Sequence, residues 1–140
     1  MKAAVIYFSS TGNTEAMANA VVEGAKAAGA EVDCMEVSDA SVDAALEYDV
    51  LALGCSAMGD EELDEADMEP FFSELEGKLS GKKLALFGSY DWGDGEWMRK
   101  WYERAKDAGA DLIQEEGLIA NNEPDEEALA ACRELGAKLA

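Results

Sequence analysis

Three features of this chain predict an α/β fold, a parallel sheet wrapped by helices on both faces. Apolar runs of strand length alternate with segments of helical spacing from one end to the other. The runs at 2–8, 50–55 and 83–88 are almost continuously apolar, which suits strands covered on both sides. The least ordinary local sequences follow directly after those three runs, and doubly wound sheets bind their ligands beyond the carboxyl ends of their strands.

In chain order, the run at 2–8 is the first strand. Residues 14–28 then set Met17, Val21, Val22 and Ala25 on one helical face, and Gly29 ends the helix. Residues 31–37 alternate apolar and acidic side chains, as an edge strand with one wet side would, and 41–47 form a short helix-compatible link. After the third apolar run come seven acids between Asp60 and Glu69. Pro70 stands in a first helical turn, and Phe71, Phe72, Leu75 and Leu79 face inward. Residues 96–108 carry Met98, Trp101, Tyr102 and Ala105 at helical spacing. Leu112-Ile113 and Leu118-Ile119-Ala120 make a fifth strand broken at Gly117. Asn122-Glu123-Pro124-Asp125 opens a last helix with Leu129, Cys132, Leu135 and Leu139. No repeat or linker divides the chain, so residues 1–140 are expected to form one domain.

Composition narrows the function. Lys plus Arg is 11 against 31 Asp plus Glu, a net charge of −20. Such a surface repels nucleic acid and anionic membrane and favours basic protein partners. A hydrophobic content of 49% excludes disorder. Cys34, Cys55 and Cys132 show no Cys-x-x-Cys spacing, which reads as three reduced thiols in a cytoplasmic protein. With no histidine, imidazole acid/base chemistry and the commonest metal ligand are absent. The opening Met-Lys and its apolar followers look like a short signal peptide without a cleavage-type ending, and read better as a strand. No apolar run reaches the length of a membrane span.

The first loop, Phe8-Ser9-Ser10-Thr11-Gly12-Asn13-Thr14-Glu15, leaves a strand and opens a helix. Free backbone N–H groups and the helix dipole make that position attractive to a phosphate. Ser9, Thr11, Asn13 and Thr14 add neutral donors, and no Lys or Arg lies between Lys2 and Lys26. A nucleoside triphosphatase loop would need Gly-Lys-Ser/Thr, and here Gly12 precedes Asn13-Thr14. The dinucleotide fingerprint needs three spaced glycines, and this loop has one. A one-phosphate site of the mononucleotide type remains, beside the plainer reading of a hydroxyl-rich helix cap. The second loop is Gly54-Cys55-Ser56-Ala57-Met58-Gly59-Asp60-Glu61, and the third runs from Gly88 to Trp97. Both are rich in small residues that let backbone approach a ligand, and each offers one large polarizable side chain, Met58 or Trp92, suited to a planar ring between them. Trp97 either shields that site or packs under the loop.

The segments Ser9-Ser10-Thr11-Gly12-Asn13-Thr14, Gly54 to Glu61, and Ser89-Tyr90-Asp91-Trp92-Gly93-Asp94-Gly95 resemble those of the short-chain flavodoxins, the clostridial type in particular. The similarity runs over essentially the whole chain. It implies a flavodoxin-like, doubly wound, five-stranded parallel sheet in the order 2-1-3-4-5. It also implies a non-enzymatic, low-potential one-electron carrier whose non-covalent FMN cycles between semiquinone and hydroquinone. By position, Ser9, Ser10, Thr11, Gly12, Asn13, Thr14 and Ser56 would hold the phosphate. Met58 and Trp92 would flank the isoalloxazine, and Glu61 would accept from its N3–H. Backbone of Ser89, Tyr90, Asp91, Trp92 and Gly93 would meet the pyrimidine side, with Ala57, Gly59 and Asp60 completing the cofactor contacts. Met58, Gly59, Asp60 and Trp92 would tune the potentials. Expected partners are reductases and oxidoreductases with basic docking surfaces, meeting a cytoplasmic monomer; neither nucleic acid nor membrane is expected. Ser10 and Asp91 stand where the family often carries glycine.

Other classes fit less well. A small FMN-dependent reductase of the NAD(P)H or quinone type would use the same fold and loop, but this chain has no spare segment for a substrate pocket. A receiver domain needs acids after strand one and an aspartate ending strand three, where Ser9-Ser10 and Cys55-Ser56 stand. A small tyrosine phosphatase needs Arg six positions after its Cys, and Glu61 occupies that place. The turn Met58-Gly59-Asp60-Glu61, with Gly59 and Asp60 as its centres, serves both type II and type II′ forms, so its central peptide can flip. The resemblance places the Gly59 carbonyl beside flavin N5.

Overall fold

A computed structural model describes residues 2–10, 12–58, 62–91 and 93–140. Strands and helices alternate as β1 (Lys2–Phe8), α1 (Asn13–Ala27), β2 (Glu31–Glu36), α2 (Val42–Ala45), β3 (Val50–Cys55), α3 (Met68–Glu76) and β4 (Lys83–Tyr90). They continue as α4 (Glu96–Asp107), β5 (Asp111–Leu112), β6 (Leu118–Asn121) and α5 (Glu126–Ala137). The sheet is parallel in the order β2-β1-β3-β4-β5, as predicted, with β6 also paired to β4.

Strand periodicity sorts the core into two layers. Ala4, Ile6, Leu51, Leu53, Leu84 and Leu86 face one side, against Phe72, Leu75, Trp97 and Trp101 of α3 and α4. Val5, Tyr7, Ala52, Ala85 and Phe87 face the other, against Met17 and Val21 of α1 and Cys132 and Leu135 of α5. The two helices on that second face, α1 and α5, touch backbone to backbone. A Cβ on Gly24 would lie 1.9 Å from the Arg133 carbonyl, and one on Gly136 would lie 1.9 Å from the Val21 carbonyl.

The fifth strand position holds two short pieces, each continuing a different part of β4. β5 pairs with Lys83 and Leu84, and β6 with Phe87 through Tyr90. In the gap between them, the Gln114 side chain accepts from Leu86 N–H at 2.7 Å, replacing the missing ladder bond. At Gly117 a Cβ would lie 2.2 Å from Met98 Sδ, so any side chain there would have to displace the buried Met98.

The acid run contains one carboxylate with a structural task. Asp64, only 7% accessible, accepts through Oδ2 from Asp67 N–H and Met68 N–H at 2.8 and 3.1 Å, capping the start of α3. Across the helix pair, Arg104 forks onto Glu69 at 2.8 and 2.9 Å and also meets Glu76, so α3 and α4 are tied at the surface as well as through Phe72 and Trp101. That pairing holds the Glu69 carboxyl below the usual carboxylate range, the Arg104 hydrogen bond being the main cause.

Candidate functional site

The loops after β1, β3 and β4 meet at the carboxyl edge of the sheet, and one hydroxyl joins them. Thr14 Oγ1, at the start of α1 and fully buried, lies 2.8 Å from Ser56 Oγ and 2.9 Å from Ser89 Oγ. It also accepts from Ser89 N–H at 3.2 Å. Its partners stand 42 and 75 positions away in the chain. Backbone bonds run alongside: Ser56 N–H donates to Phe8 O at 3.2 Å and Ala57 N–H to Ser89 O at 2.9 Å. Ser10 N–H reaches Ser56 Oγ at 3.4 Å. Thr14 therefore serves as a knot beneath the loops, a role that a reading of Ser and Thr as separate phosphate donors does not anticipate.

Above that knot Gly12 precedes α1 at φ +92°, with no atom within 4 Å of a would-be Cβ, so glycine is needed there for its conformation and not for space. Ser9 Oγ accepts from Gly12 N–H at 3.0 Å and from Glu15 N–H at 3.2 Å. The amides of Asn13 and Thr14, between those two, lie in the first turn, where no helical carbonyl can take them. The Ser9 hydroxyl keeps its own proton for an acceptor. A cleft of about 140 Å³ opens at this point, lined by Ser10, Asn13, Ser56, Ala57, Ser89, Tyr90, Asp91 and Asn122. Among the described residues Asp91 is the one charged side chain in that lining, so any anion held here is held by neutral donors and the helix terminus.

Met58 is half-buried and closes an antiparallel bridge with Glu62, each donating its N–H to the other's carbonyl at 2.8 Å. The turn expected at Met58-Gly59-Asp60-Glu61 falls on Gly59, Asp60 and Glu61, which lie outside the described residues, as do Thr11 and Trp92. Tyr90 ends β4, and Asp91 follows it, exposed and without positive φ; among described residues Asn122 alone has positive φ outside glycine, at 57°. Asp91 thus needs none of the freedom a glycine would give. Gly93 follows at φ +88°.

Two glycines expected to admit a ligand serve packing instead. A Cβ on Gly54 would strike the Phe87 ring at 2.3 Å, and one on Gly88 would strike the Cys55 carbonyl at 2.1 Å. That same carbonyl accepts from Trp97 Nε1–H at 3.2 Å, which settles Trp97 under the loop, buried, with its ring 5.6 Å from that of Tyr90. Burial pushes the Cys55 thiol up to about 12, so it is neutral at physiological pH and unsuited to nucleophilic chemistry. Among the described residues no group of His, Cys, Asp and Glu could hold a metal ion, and no helix is long and apolar enough to cross a membrane.

The family model described as Flavodoxin matches residues 5–136. The flavodoxin of Clostridium beijerinckii is 51% identical over 136 residues, covering 97% of each chain. That of Megasphaera elsdenii is 50% identical over 132 residues, 94% of this chain and 93% of the other. The solution structure of two-electron reduced Megasphaera elsdenii flavodoxin matches with a TM-score of 0.89 at 48% identity, over 98% of this chain and 97% of that one. Since sequence and fold agree over nearly the full length, the chain belongs to the flavodoxin family, small FMN-carrying electron-transfer proteins rather than enzymes.

Proposed function

We propose that the three knotted loops hold the FMN, and that the chain works as a low-potential one-electron carrier, a single-domain cytoplasmic monomer passing electrons between other redox proteins. The observation that carries this reading is the cation-free cleft at the N-terminus of α1, floored by the Thr14–Ser56–Ser89 cluster. Its donor set fits a phosphate monoester: two free amides at Asn13 and Thr14, and neutral groups on Ser9, Ser10, Asn13 and Ser56, to which the family resemblance adds Thr11. Ala57, Ser89, Tyr90 and Asp91 line the same cleft, next to where Met58 and Trp92 would flank the ring. Gly59, Asp60, Glu61, Trp92 and Gly93 take the ring contacts and tuning roles that the family resemblance gives them. FMN, when bound, supplies two successive one-electron steps; the chain binds it, orients it and limits its contact with water. A net charge of −20 favours partners with basic docking faces, which it would also steer at long range.

The test compares FMN with riboflavin on the apoprotein by flavin fluorescence quenching. Charge-assisted hydrogen bonds contribute about 1.5–3 kcal/mol each, so losing the phosphate should weaken binding by at least about 100-fold. Equal dissociation constants would remove the phosphate from this loop. Loaded protein mixed with NAD(P)H alone should stay oxidised; steady turnover would favour a reductase.

A further inference from the structure

We propose that the outer edge of β6 is the docking face for the electron-transfer partner, a basic redox protein that sets an apolar side chain there within a frame of Lys and Arg. This rests on the carrier reading above and adds the place of contact. Ile119 is the exposed large hydrophobic side chain among the described residues, 37% accessible. It is shared by two grooves. One, of about 330 Å³, runs between β6 and α4 past Met98, Tyr102 and Gly117; the other, of about 370 Å³, runs between β6 and α5 past Pro124, Ala128 and Ala131. Since β6 pairs with β4 alone, its far side presents unpaired backbone groups between the two grooves.

The charge around this edge is predominantly acidic, and five of its acids are uncompensated. Glu103, Glu115, Glu116, Glu123 and Glu127 are all exposed, and among described residues none of them has an ion-pair partner within 4 Å. The nearby cation, Arg99, is paired with Asp94 at 2.9 Å. After burial, the carboxylates of Glu115 and Glu116 are what push the Tyr102 hydroxyl up. An apolar patch framed by unpaired acids is complementary to a basic partner and rejects a second copy of this chain.

The edge also leads into the cofactor cleft. Asn121 donates from Nδ2 to the carbonyls of Tyr90 and Asp91 at 3.3 Å each, and Asn122 N–H donates to Tyr90 O at 2.6 Å. Tyr90, Asp91 and Asn122 are cleft residues, so a partner seated on Ile119 stands beside the flavin-binding loops. The competing role for these acids is to keep the open edge from pairing with another chain.

The experiment is stopped-flow oxidation of the reduced, FMN-loaded protein by cytochrome c, a basic redox probe, and by ferricyanide, a small oxidant that needs no docking face. Ile119→Ser and Glu116→Lys should each slow the cytochrome c reaction about five-fold or more at low ionic strength, while Glu47→Lys, exposed at the opposite end of the sheet, changes it less than about two-fold. Ferricyanide rates and both reduction potentials should stay at wild-type values. An Ile119→Ser variant as fast as wild type overturns the proposal, and so does a Glu47→Lys variant as slow as Glu116→Lys, since only overall charge then matters. Self-association of Glu116→Lys with unchanged cytochrome c rates would assign the acids to edge protection and also overturn it. If wild-type protein reduces neither oxidant, the carrier reading itself fails.

Discussion

Replacing Thr14 by Val tests the knot that joins the three site loops. The side chain keeps its volume and loses the hydroxyl, in a position with no solvent access. Ser89 N–H then loses an acceptor at 3.2 Å, Ser89 Oγ a partner at 2.9 Å and Ser56 Oγ a partner at 2.8 Å. Ser56 retains the long contact from Ser10 N–H, so two groups are left unsatisfied. At about 1–3 kcal/mol for each buried unpaired polar group, the loss is about 2–6 kcal/mol. That is a large share of the roughly 5–15 kcal/mol that a domain of this size has. The assay is urea unfolding of the apoprotein, so that no ligand contributes. With a slope of about 1–3 kcal/mol/M, the midpoint should fall by about 0.7 M or more. Thr14→Ser keeps the hydroxyl and should recover most of the loss. If Thr14→Val leaves apoprotein stability within about 0.5 kcal/mol and weakens FMN binding alone, the hydroxyl acts only on ligand and the knot carries no weight.

Gly136→Ala should destabilise by about 1–3 kcal/mol in the same assay, although alanine is the better helix former by about 1 kcal/mol, because its Cβ meets α1 backbone. An unchanged or raised midpoint would mean that α1 and α5 are not in backbone contact. Asp64→Ala should cost about 1–2 kcal/mol through the lost α3 cap, whereas neutralising exposed Glu65 should cost under about 0.5 kcal/mol; equal effects would deny the cap. Burial first, then the hydrogen bond to Glu15, raises Tyr7 from 10.0 to about 12. The native state therefore favours the neutral phenol, and its contribution is complete below pH 10 and lost as pH rises towards 12. Tyr7→Phe should flatten the decline of stability over that interval; an identical alkaline slope would refute the shift.

The alternation of strands and helices, and with it the sheet, was legible in the sequence because buried parallel strands leave continuous apolar runs. The break in the fifth strand was legible too, at Gly117, but not the Gln114 side chain that fills the gap, since nothing local marks a glutamine for that task. Asp64 was hidden among seven acids, and it stands three residues before Asp67, the position where a cap for α3 is ordinarily sought. Gly24 and Gly136 each sit inside a helix, where glycine is costly, and that cost was the available sign of two helices in contact. Gly54 and Gly88 misled in the other direction. Both adjoin the site, so ligand approach looked like their purpose, whereas Phe87 and the Cys55 carbonyl occupy the space. The hydroxyls of Thr14 and Ser56 were legible as polar groups near a ligand, and Ser89 only through its backbone. Their meeting depends on the register of three strands, which no local pattern encodes.

A redox titration followed by visible absorbance tests whether the chain is a one-electron carrier built on FMN. One FMN per chain and two separated one-electron steps, the second at the lower potential, are the expected result. A single two-electron step, or a protein that fails to retain FMN, would contradict it.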